Sequence, residues 1–249
     1  MTNTRPVALV TGSATGVGRA CALRFAKLDY DVVVNYSRSQ TEANQTCDEV
    51  LALGVNCLCV PCDVSQESQV IGMMQQVQQR FQRLDVLVNN AAMTYFIAGE
   101  NLDELTEEKW DRILAVNTKG PFFCIKAAAP MLREGSGGAI VNISSVAGQN
   151  GRGSSIAYSA SKGALNTMTK SFARTLAPKV RVNAVLPGPI DSRWIREGNT
   201  DWDLDEMTAG NPIPRASTPD EIADGVIFLS VGTSMATGQL LVIDGGFTL

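Results

Sequence analysis

The fold of this chain is decided by one stretch near its N-terminus, Val7-Ala8-Leu9-Val10-Thr11-Gly12-Ser13-Ala14-Thr15-Gly16-Val17-Gly18. The first five residues are an apolar, β-branched run, which is typical of a buried strand. The glycines that follow predict a tight turn in which the backbone can approach a ligand closely. The helix expected after the turn presents free N–H groups to a phosphate. This order predicts a dinucleotide-binding βαβ unit, although the spacing G-x-x-x-G-x-G differs from the commoner G-x-G-x-x-G.

The same alternation of short apolar runs and longer helical stretches continues to the C-terminus. We predict strands at residues 7–11, 32–36, 56–61, 86–88, 139–143, 180–185 and 240–243. We predict helices at residues 16–28, 40–53, 66–81, 107–133, 157–177 and 219–229. Strands that are apolar on both faces indicate an α/β fold, a single-domain, doubly wound, Rossmann-like parallel sheet of about seven strands with helices on both faces. Residues 1–249 are expected to form this one domain, and the irregular stretch at 187–218 is interpreted as a substrate lid.

Composition excludes several classes of protein. The chain has 249 residues, 45% hydrophobic content and a net charge of −4, so it is long enough for one large core. No basic cluster indicates nucleic acid or an anionic membrane as a partner. The N-terminal residues lack the apolar stretch of a signal peptide, and no apolar run is long enough to span a bilayer. We therefore expect a cytoplasmic protein.

The cysteines and the missing histidine bear on metal and nucleophile chemistry. Six Cys and no His are present, which excludes a Ser-His or Cys-His nucleophile pair. Cys57, Cys59 and Cys62 form a C-x-C-x-x-C cluster, with Cys57 and Cys59 on one face of a predicted strand. We interpret them as buried free thiols that pack as small hydrophobes, and we expect neither a metal site nor a disulfide framework.

Polar motifs follow five of the predicted strands. They are the glycine turn, Asp63, Asn89-Asn90, Ser144-Ser145 and Pro187-Gly188. In a parallel sheet these positions share the carboxyl edge, where open α/β sheets bind their ligands. We therefore expect the five motifs to form one site.

Proton chemistry is indicated by Tyr158 and Lys162. At i and i+4 on a predicted helix, the two side chains lie on one face. An ammonium beside a phenol lowers the phenol pKa, so the pair can exchange protons near neutral pH. Two unrelated surface residues would show the same spacing.

The end of the second strand indicates which dinucleotide binds. An acidic residue there would hold the ribose 2′-hydroxyl of NAD, but Asn35 and Tyr36 are not acidic. Ser37 and Arg38 follow, and a hydroxyl with a guanidinium suits a 2′-phosphate. We expect NADP(H) to be preferred over NAD(H), with a solvent-exposed loop arginine as the alternative.

These motifs together resemble the short-chain dehydrogenase/reductase family, in its compact branch of roughly 250 residues. The resemblance runs nearly from end to end and rests on Thr11-Gly12-x-x-x-Gly16-x-Gly18, Asp63-Val64, Asn89-Asn90-Ala91, Asn117, Ser145, Tyr158-x-x-x-Lys162, Pro187-Gly188 and Asp244-Gly245-Gly246.

The resemblance implies a role for each of these positions. Tyr158 would be the general acid/base, Lys162 would lower its pKa, and Ser145, with Ser144 as the rival assignment, would bind the same substrate oxygen. Asn117 would complete the catalytic set by holding a water that links the lysine to solvent. Besides Tyr158 and Lys162, the implied cofactor-binding residues are Gly12, Ser13, Thr15, Gly16, Val17, Gly18, Asn35, Ser37, Arg38, Asp63, Val64, Asn90, Ala91, Ala92, Pro187, Gly188, Ile190 and Ser192. The expected substrate residues are Met93, Tyr95, Ser145, Val146, Arg152, Tyr158 and Trp194.

The function that follows is an NADP(H)-dependent oxidoreductase of small-molecule carbonyls or secondary alcohols. Reduction of a 3-oxoacyl group on an acyl carrier protein and oxidation of a sugar or polyol remain open alternatives. A non-catalytic nucleotide-binding regulator is a third, because fold does not determine function. Family members commonly form dimers and tetramers, so the resemblance also implies a homo-oligomer.

Overall fold

A single parallel sheet forms the centre of the molecule. The computed structural model describes residues 5–134, 137–198 and 202–249. Seven strands pair in the order β3-β2-β1-β4-β5-β6-β7. They are β1 (Val7–Val10), β2 (Asp31–Tyr36), β3 (Cys57–Pro61), β4 (Val86–Asn89), β5 (Gly138–Ile143), β6 (Val180–Pro187) and β7 (Leu240–Ile243). The chain reverses its direction of strand addition between β1 and β4, and this is where open sheets of this kind bind ligands.

Helices cover both faces of the sheet. The longer ones are α1 (Gly16–Lys27), α2 (Gln40–Ala52), α3 (Glu67–Phe81), α4 (Glu107–Leu114), α5 (Gly120–Leu132), α7 (Ile156–Leu176) and α10 (Pro219–Ile227). Three short ones are α6 (Ala147–Asn150), α8 (Arg193–Gly198) and α9 (Leu204–Thr208). Helices α3, α5 and α7 bury their apolar faces in one core, and α1, α2 and α10 bury theirs in the other. The predicted fold class is confirmed.

The strands are apolar on both faces because each contributes to both cores. In β1, Val7 and Leu9 belong to the core beneath α3 and α5, whereas Ala8 and Val10 belong to the core beneath α1 and α2. This is the period-two alternation of a strand that is covered on each side. The β1 residues are fully buried.

The predicted helix at 107–133 is interrupted by a wider, π-type turn at Ala115–Lys119 that separates α4 from α5. Pro121 stands near the start of α5 and has no N–H group, so the carbonyl of Asn117 lacks its usual partner four residues on. A π-bulge of this kind often lies at a functional site. The stretch at 187–218, predicted to be irregular, contains α8 and α9, and β6 continues into it as far as Pro187.

The cysteines differ from the prediction. Cys47 on α2 and Cys57 on β3 form a disulfide, with Cα atoms 5.7 Å apart. Cys57 is therefore not a free thiol, and the expectation that no disulfide forms was wrong for this pair. The short connection between α2 and β3 lets the two elements pack side by side, which brings the two sulfurs together. The spacing of the cysteines in the sequence does not predict this contact. Cys59 and Cys62 are free, and only Cys62 is fully buried.

Two negative findings apply to residues 5–134, 137–198 and 202–249. No helix there is both long and apolar enough to cross a membrane. No group of three or more His, Cys, Asp or Glu side chains in the same ranges is placed to hold a metal ion.

We predict that Gly18→Ala destabilises the protein by about 1–3 kcal/mol through overpacking. A Cβ at Gly18 would lie 2.5 Å from the carbonyl oxygen of Gly12 and 2.8 Å from the Cα of Ser13, so the backbone of the glycine turn must shift. Urea unfolding measures the effect. The matched control is Gly72→Ala in α3, where a Cβ meets no atom within 4 Å. This control should stabilise the protein by about 0.5–1 kcal/mol, and equal stability of both variants would contradict the prediction.

Candidate active site

The five strand-end motifs open into one cleft of about 830 Å³ at the carboxyl edge of the sheet. Its lining contains nearly all the residues expected to bind cofactor: Gly12, Thr15, Gly16, Val17, Asn35, Ser37, Arg38, Asp63, Val64, Asn90, Ala91, Ala92, Pro187, Gly188, Ile190 and Ser192. The other half of the cleft is lined by Met93, Ser145, Val146, Arg152, Tyr158, Lys162 and Trp194. The predicted convergence of distant motifs is confirmed.

The glycine turn has a backbone that only glycine adopts readily. Gly12 and Gly16 have φ values of +61° and +57°, in the left-handed region that a side chain disfavours. A Cβ at Gly12 would lie 2.9 Å from the Cα of Ala91, so the ends of β1 and β4 touch here. Gly16 lines the cleft and is also the first residue of α1, so the positive end of the helix dipole lies beside the cleft. The turn suits a phosphate.

Asn90 and Thr11 hold the turn in place. The Asn90 amide donates to the carbonyls of Thr11 and Gly12, each at 2.9 Å. In return the Thr11 hydroxyl accepts from the backbone N–H groups of Asn90 and Ala91 at 3.0 Å. Four hydrogen bonds thus join the ends of β1 and β4.

Two of the expected cofactor ligands have structural roles instead. The Ser13 hydroxyl is fully buried, donates to the Val10 carbonyl and accepts from the Asn35 N–H group. Gly18 packs behind the turn against Asn90. Neither residue lines the cleft, because the turn directs Ser13 into the sheet and the first turn of α1 carries Gly18 away from the ligand side.

The far end of the cofactor half carries a hydrogen-bonded carboxylate. Asp63 accepts from the Arg112 guanidinium at 2.8 Å, and Ser65 bonds both residues. Burial opposes ionisation of Asp63, but the hydrogen bonds from Arg112 and Ser65 prevail and hold its pKa below the ordinary value. Sequence reasoning missed Arg112, since no local pattern places a residue of α4 beside the end of β3.

The end of β2 contributes polar groups to the cofactor half of the cleft. Residues 37–39 line the cleft, and Arg38 is exposed there. Arg38 forms no ion pair within the ranges that the structure describes. Asn35 is occupied, since its amide oxygen accepts from the Gly12 N–H group and its amide nitrogen donates to the Cys62 carbonyl. Among the described residues, the Arg38 guanidinium is thus unpaired just beyond the end of β2, and Asn35 and Tyr36 offer no carboxylate there.

The reactive end is built on α7. Ser155 caps this helix and accepts from the Tyr158 N–H group at 3.2 Å, so Tyr158 lies in the first turn. The Ser145 hydroxyl lies close enough to the Tyr158 hydroxyl to favour its ionised form. Lys162 lies one turn further on, with its Nζ 5.6 Å from the centre of the Tyr158 ring. The three side chains are brought together as expected.

The hydrogen bonds also decide between Ser144 and Ser145. The Ser144 hydroxyl is buried and donates to the Asn166 amide oxygen at 2.7 Å, which ties β5 to α7. The Ser145 hydroxyl accepts from the Ala147 N–H group at 3.1 Å and faces the Tyr158 hydroxyl. Ser145 is therefore placed to meet a substrate oxygen.

The pKa values of Tyr158 and Lys162 differ from the expectation that the ammonium lowers the phenol pKa. Burial raises the pKa of Tyr158 to about 12, although the hydrogen bond with Ser145 opposes the shift. Burial lowers the pKa of Lys162 to about 7. The Lys162 amine donates to the Ile143 carbonyl at 2.7 Å rather than to the phenol. In this geometry desolvation outweighs the attraction that was expected to lower the Tyr158 pKa.

Asn117 is buried behind the cleft and does not line it. Its amide pairs with the backbone of Met93, accepting from the N–H group at 2.8 Å and donating to the carbonyl at 2.9 Å. It also donates to the Ser161 hydroxyl, next to Lys162. The π-type turn points the side chain inward, so Asn117 positions the cleft wall through these contacts.

The substrate half is mainly aromatic and apolar. The Phe96 and Trp202 rings meet edge to face, with centroids 5.2 Å apart, and Gly198 packs against Phe96. Trp194 lines the cleft and remains 40% exposed. Tyr95, expected to contact substrate, lies outside the lining because its ring turns toward Lys109, 5.7 Å away. Sequence reasoning missed Ile97, Met207 and Phe247.

Comparison with known proteins agrees with this geometry. A family model described as Enoyl-(Acyl carrier protein) reductase matches residues 12–248. The chain belongs to the short-chain dehydrogenase/reductase family. A crystal structure of a putative member of the family from Burkholderia xenovorans superposes with a TM-score of 0.93 at 36% identity and covers 99% of each chain. The protein is accordingly an oxidoreductase.

Two curated relatives carry more specific names. The granaticin polyketide synthase putative ketoacyl reductase 2 of Streptomyces violaceoruber is 39% identical over 242 residues, which are 97% of this chain and 95% of the relative. The 3-oxoacyl-[acyl-carrier-protein] reductase FabG of Staphylococcus aureus is 37% identical over 241 residues, which are 96% of each chain.

We predict that replacing Lys162 with Met removes part of the pH dependence of stability. Because burial lowers the folded pKa of Lys162 to about 7, from 10.5, the folded state binds fewer protons than the unfolded state between these values. The lysine thus makes the free energy of unfolding rise with pH across this window. Between pH 7 and 9, the free energy of unfolding should rise by about 1–2 kcal/mol more for wild type than for Lys162→Met.

Urea unfolding at pH 7, 8 and 9 measures this difference, and the window stops short of the range where Tyr158 acts in the opposite direction. Lys170→Met, which replaces an exposed lysine on the same helix, is the matched control and should follow wild type. Parallel pH curves for wild type and Lys162→Met would show that Lys162 is not a neutral amine in the folded protein.

Proposed function

We propose that this oxidoreductase uses NADP(H) to interconvert a carbonyl and a secondary alcohol, with Tyr158 as general acid/base. The observation that carries the proposal is that Tyr158, Ser145 and Lys162 line the same cleft as the glycine turn. Gly12 and Gly16 would hold the phosphates of a dinucleotide and Asp63 its adenosine, in the same cleft as Tyr158. The residues present therefore fit the cofactor.

The proton steps follow from the positions of the side chains. In the reductive direction the Ser145 hydroxyl donates to the carbonyl oxygen and stabilises the negative charge that develops on it. Tyr158 then gives its proton to that oxygen. A raised pKa suits this role because the phenol is protonated at neutral pH and available to donate. When bound, NADPH supplies the hydride.

Lys162 is suited to renew the proton on Tyr158. With a pKa of about 7 it exists in both forms at neutral pH. Its amine lies one helical turn from Tyr158 and is held by the Ile143 carbonyl. Asn117 and Ser161 link this region to the cleft wall at Met93. We propose that the relay to solvent begins at this chain of polar groups.

NADP(H) is proposed over NAD(H) because Arg38 is exposed at the end of β2 with its guanidinium unpaired among the residues described. A 2′-phosphate placed there would accept charge-assisted hydrogen bonds from Arg38 and from a neighbouring hydroxyl. Asn35 offers no carboxylate to a ribose diol, and its amide oxygen is already bonded to Gly12.

A second candidate substrate is a 3-oxoacyl group on an acyl carrier protein, which the names of the two relatives favour. Charge at the entrance favours a free substrate instead, because an acidic carrier docks on basic surfaces. Exposed acidic side chains adjoin two residues of the lining in sequence, since Glu100 follows Gly99 and Asp203 follows Trp202. The two readings are separated by comparing kcat/KM for the same acyl group on a carrier and as a simple thioester.

Residues 187–218 are proposed as the lid of the substrate half. Trp194 and Trp202 from this stretch face the body of the domain, and the Phe96–Trp202 contact closes one side of the cleft. The apolar rings favour a substrate with hydrophobic bulk next to its carbonyl.

A homo-oligomer is proposed from an aromatic patch on α5 and α7. Phe122 is 41% exposed and packs on Phe172, with ring centroids 6.1 Å apart. Exposed aromatic patches of this kind mark protein contacts. Ala128 and Ala129, by contrast, are buried in the chain's own core.

We predict that Tyr158→Phe lowers kcat for carbonyl reduction by about 10²–10⁴-fold while the Kd for NADPH stays within a few-fold. The phenol hydroxyl is the group that donates the proton, and its removal leaves the ring packing unchanged. NADPH consumption with a panel of ketones and β-keto esters measures kcat, and a fluorescence titration measures Kd. Tyr95→Phe is the matched control and should keep full activity. A Tyr158→Phe enzyme within a few-fold of wild type would refute the proposed acid.

We predict that Arg38→Ala lowers kcat/KM for NADPH by about 10–100-fold, equivalent to the roughly 1.5–3 kcal/mol of hydrogen bonds to a charged group. NADH is the internal control, because it lacks the 2′-phosphate and should be used equally well by both proteins. Steady-state rates with each cofactor at a fixed carbonyl concentration give the comparison. An equal loss with both cofactors would place Arg38 outside the 2′-phosphate site.

A further inference from the structure

Helix α2 forms a wall of the cofactor half of the cleft and contacts three functional elements. Residues 37–39 lead directly into it and line the cleft. In its middle, the Thr46 hydroxyl donates to the Ala14 carbonyl of the glycine turn at 3.1 Å. In its first turn, Glu42 accepts from Arg193, the first residue of α8, at 3.0 Å. The position of α2 therefore influences both phosphate-binding elements and the proposed lid.

A covalent bond anchors this helix. Cys47, next to Thr46, is joined to Cys57 on β3. Strand β3 is the edge of the sheet and pairs with β2 alone in the described sheet. Cys57 is partly exposed as a residue, whereas Cys47 is 7% exposed. The anchor of α2 is thus a disulfide at a sheet edge, with Cys57 as its more exposed member.

We propose that the Cys47–Cys57 pair is a redox-active thiol site that sets the affinity of the cleft for NADP(H). In the disulfide form, α2 is fastened to β3, which holds Arg38 and Ala14 in the positions that receive phosphates. In the dithiol form this covalent anchor is gone, and ordering α2 then opposes cofactor binding. The inference rests on the proposed cofactor.

The reaction is thiol–disulfide exchange with a dithiol as reductant. One thiolate of the dithiol attacks Cys57 Sγ, which forms a mixed disulfide and releases Cys47 as a thiolate that takes up a proton. The second thiol of the reagent loses its proton and attacks its partner sulfur, which releases Cys57 as a thiolate to be protonated in turn. The protein pair gains two electrons and two protons, and the reagent leaves as its cyclic disulfide.

Cys59 provides a matched comparison within the same strand. It lies two residues from Cys57 on the same face of β3, toward α2. Its sulfur is free and lies 3.6 Å from the Asn44 amide oxygen on α2. A thiol effect that is not specific to the disulfide would involve Cys59 as well.

The test measures NADPH binding to the full chain before and after treatment with dithiothreitol. Without reductant, four thiols should react with a thiol reagent in denaturant, since six cysteines include one disulfide, and after reduction six should react. Reduction should raise the Kd for NADPH by about three- to tenfold, as expected for lost preorganisation. Removal of the reductant and reoxidation should restore the original Kd.

Variants assign the effect to the pair. Cys47→Ser and Cys57→Ser should bind NADPH like reduced wild type and should not respond to dithiothreitol. Cys59→Ser should respond as wild type does. The reversible treatment of wild type keeps the test decisive if a serine variant fails to fold.

Three results would overturn the inference. They are six reactive thiols without reductant, an unchanged Kd on reduction, or a response that persists in Cys47→Ser and disappears in Cys59→Ser. The first two leave the proposed cofactor intact as long as NADPH binds. No binding of NADPH in either form would overturn the cofactor proposal itself, and the inference with it.

Discussion

The structure depends on the contact between the ends of β1 and β4. At this point the strand order reverses, and a crevice must open because the two strands lead into helices on opposite faces. Thr11 and Asn90 close the base of the crevice with four hydrogen bonds, and Gly12 comes so near Ala91 that no side chain fits between them. Fixing two glycines in one turn conformation costs conformational entropy. These hydrogen bonds offset that cost and fix the direction in which the first N–H groups of α1 point.

The strands and the position of the cleft could be predicted from the sequence because both follow from local sequence patterns. The period-two apolar runs determine the strands, and parallel pairing then brings the polar residue after each strand to one edge. The expected site residues that lie outside the cleft lining owe their positions to non-local packing. Ser13 turns into the sheet because Val10 and Asn35 offer it backbone partners, and Tyr95 turns away because Lys109 approaches from α4. Arg112 and the Cys47–Cys57 bond involve contacts between elements whose spacing the sequence does not reveal.

The structure differs most from the sequence-based expectation in the charge states of Tyr158 and Lys162, and not in their positions. An ammonium near a phenol lowers its pKa only if the ammonium persists, and burial works against both charged forms here. Lys162 moves toward neutrality and Tyr158 toward its protonated form, so each is shifted in the direction of its uncharged state. The i,i+4 spacing predicts that the groups lie near each other, but it contains no information about desolvation. A protonated phenol with a nearby amine that titrates near pH 7 is a better starting point for reduction than for oxidation of an alcohol.

Desolvation also explains why this site needs no histidine. A histidine titrates near neutral pH in water, whereas a lysine does so only when it is removed from water. Helix α7 provides that environment by burying Lys162 against the Ile143 carbonyl. The helix is in turn held to the sheet by Ser144 with Asn166, and by Asn142 with Thr169. The polar contacts between β5 and α7 thus do more than stabilise the core. They maintain the burial on which the proposed proton chemistry depends, so loosening them would return the pKa of Lys162 toward its ordinary value.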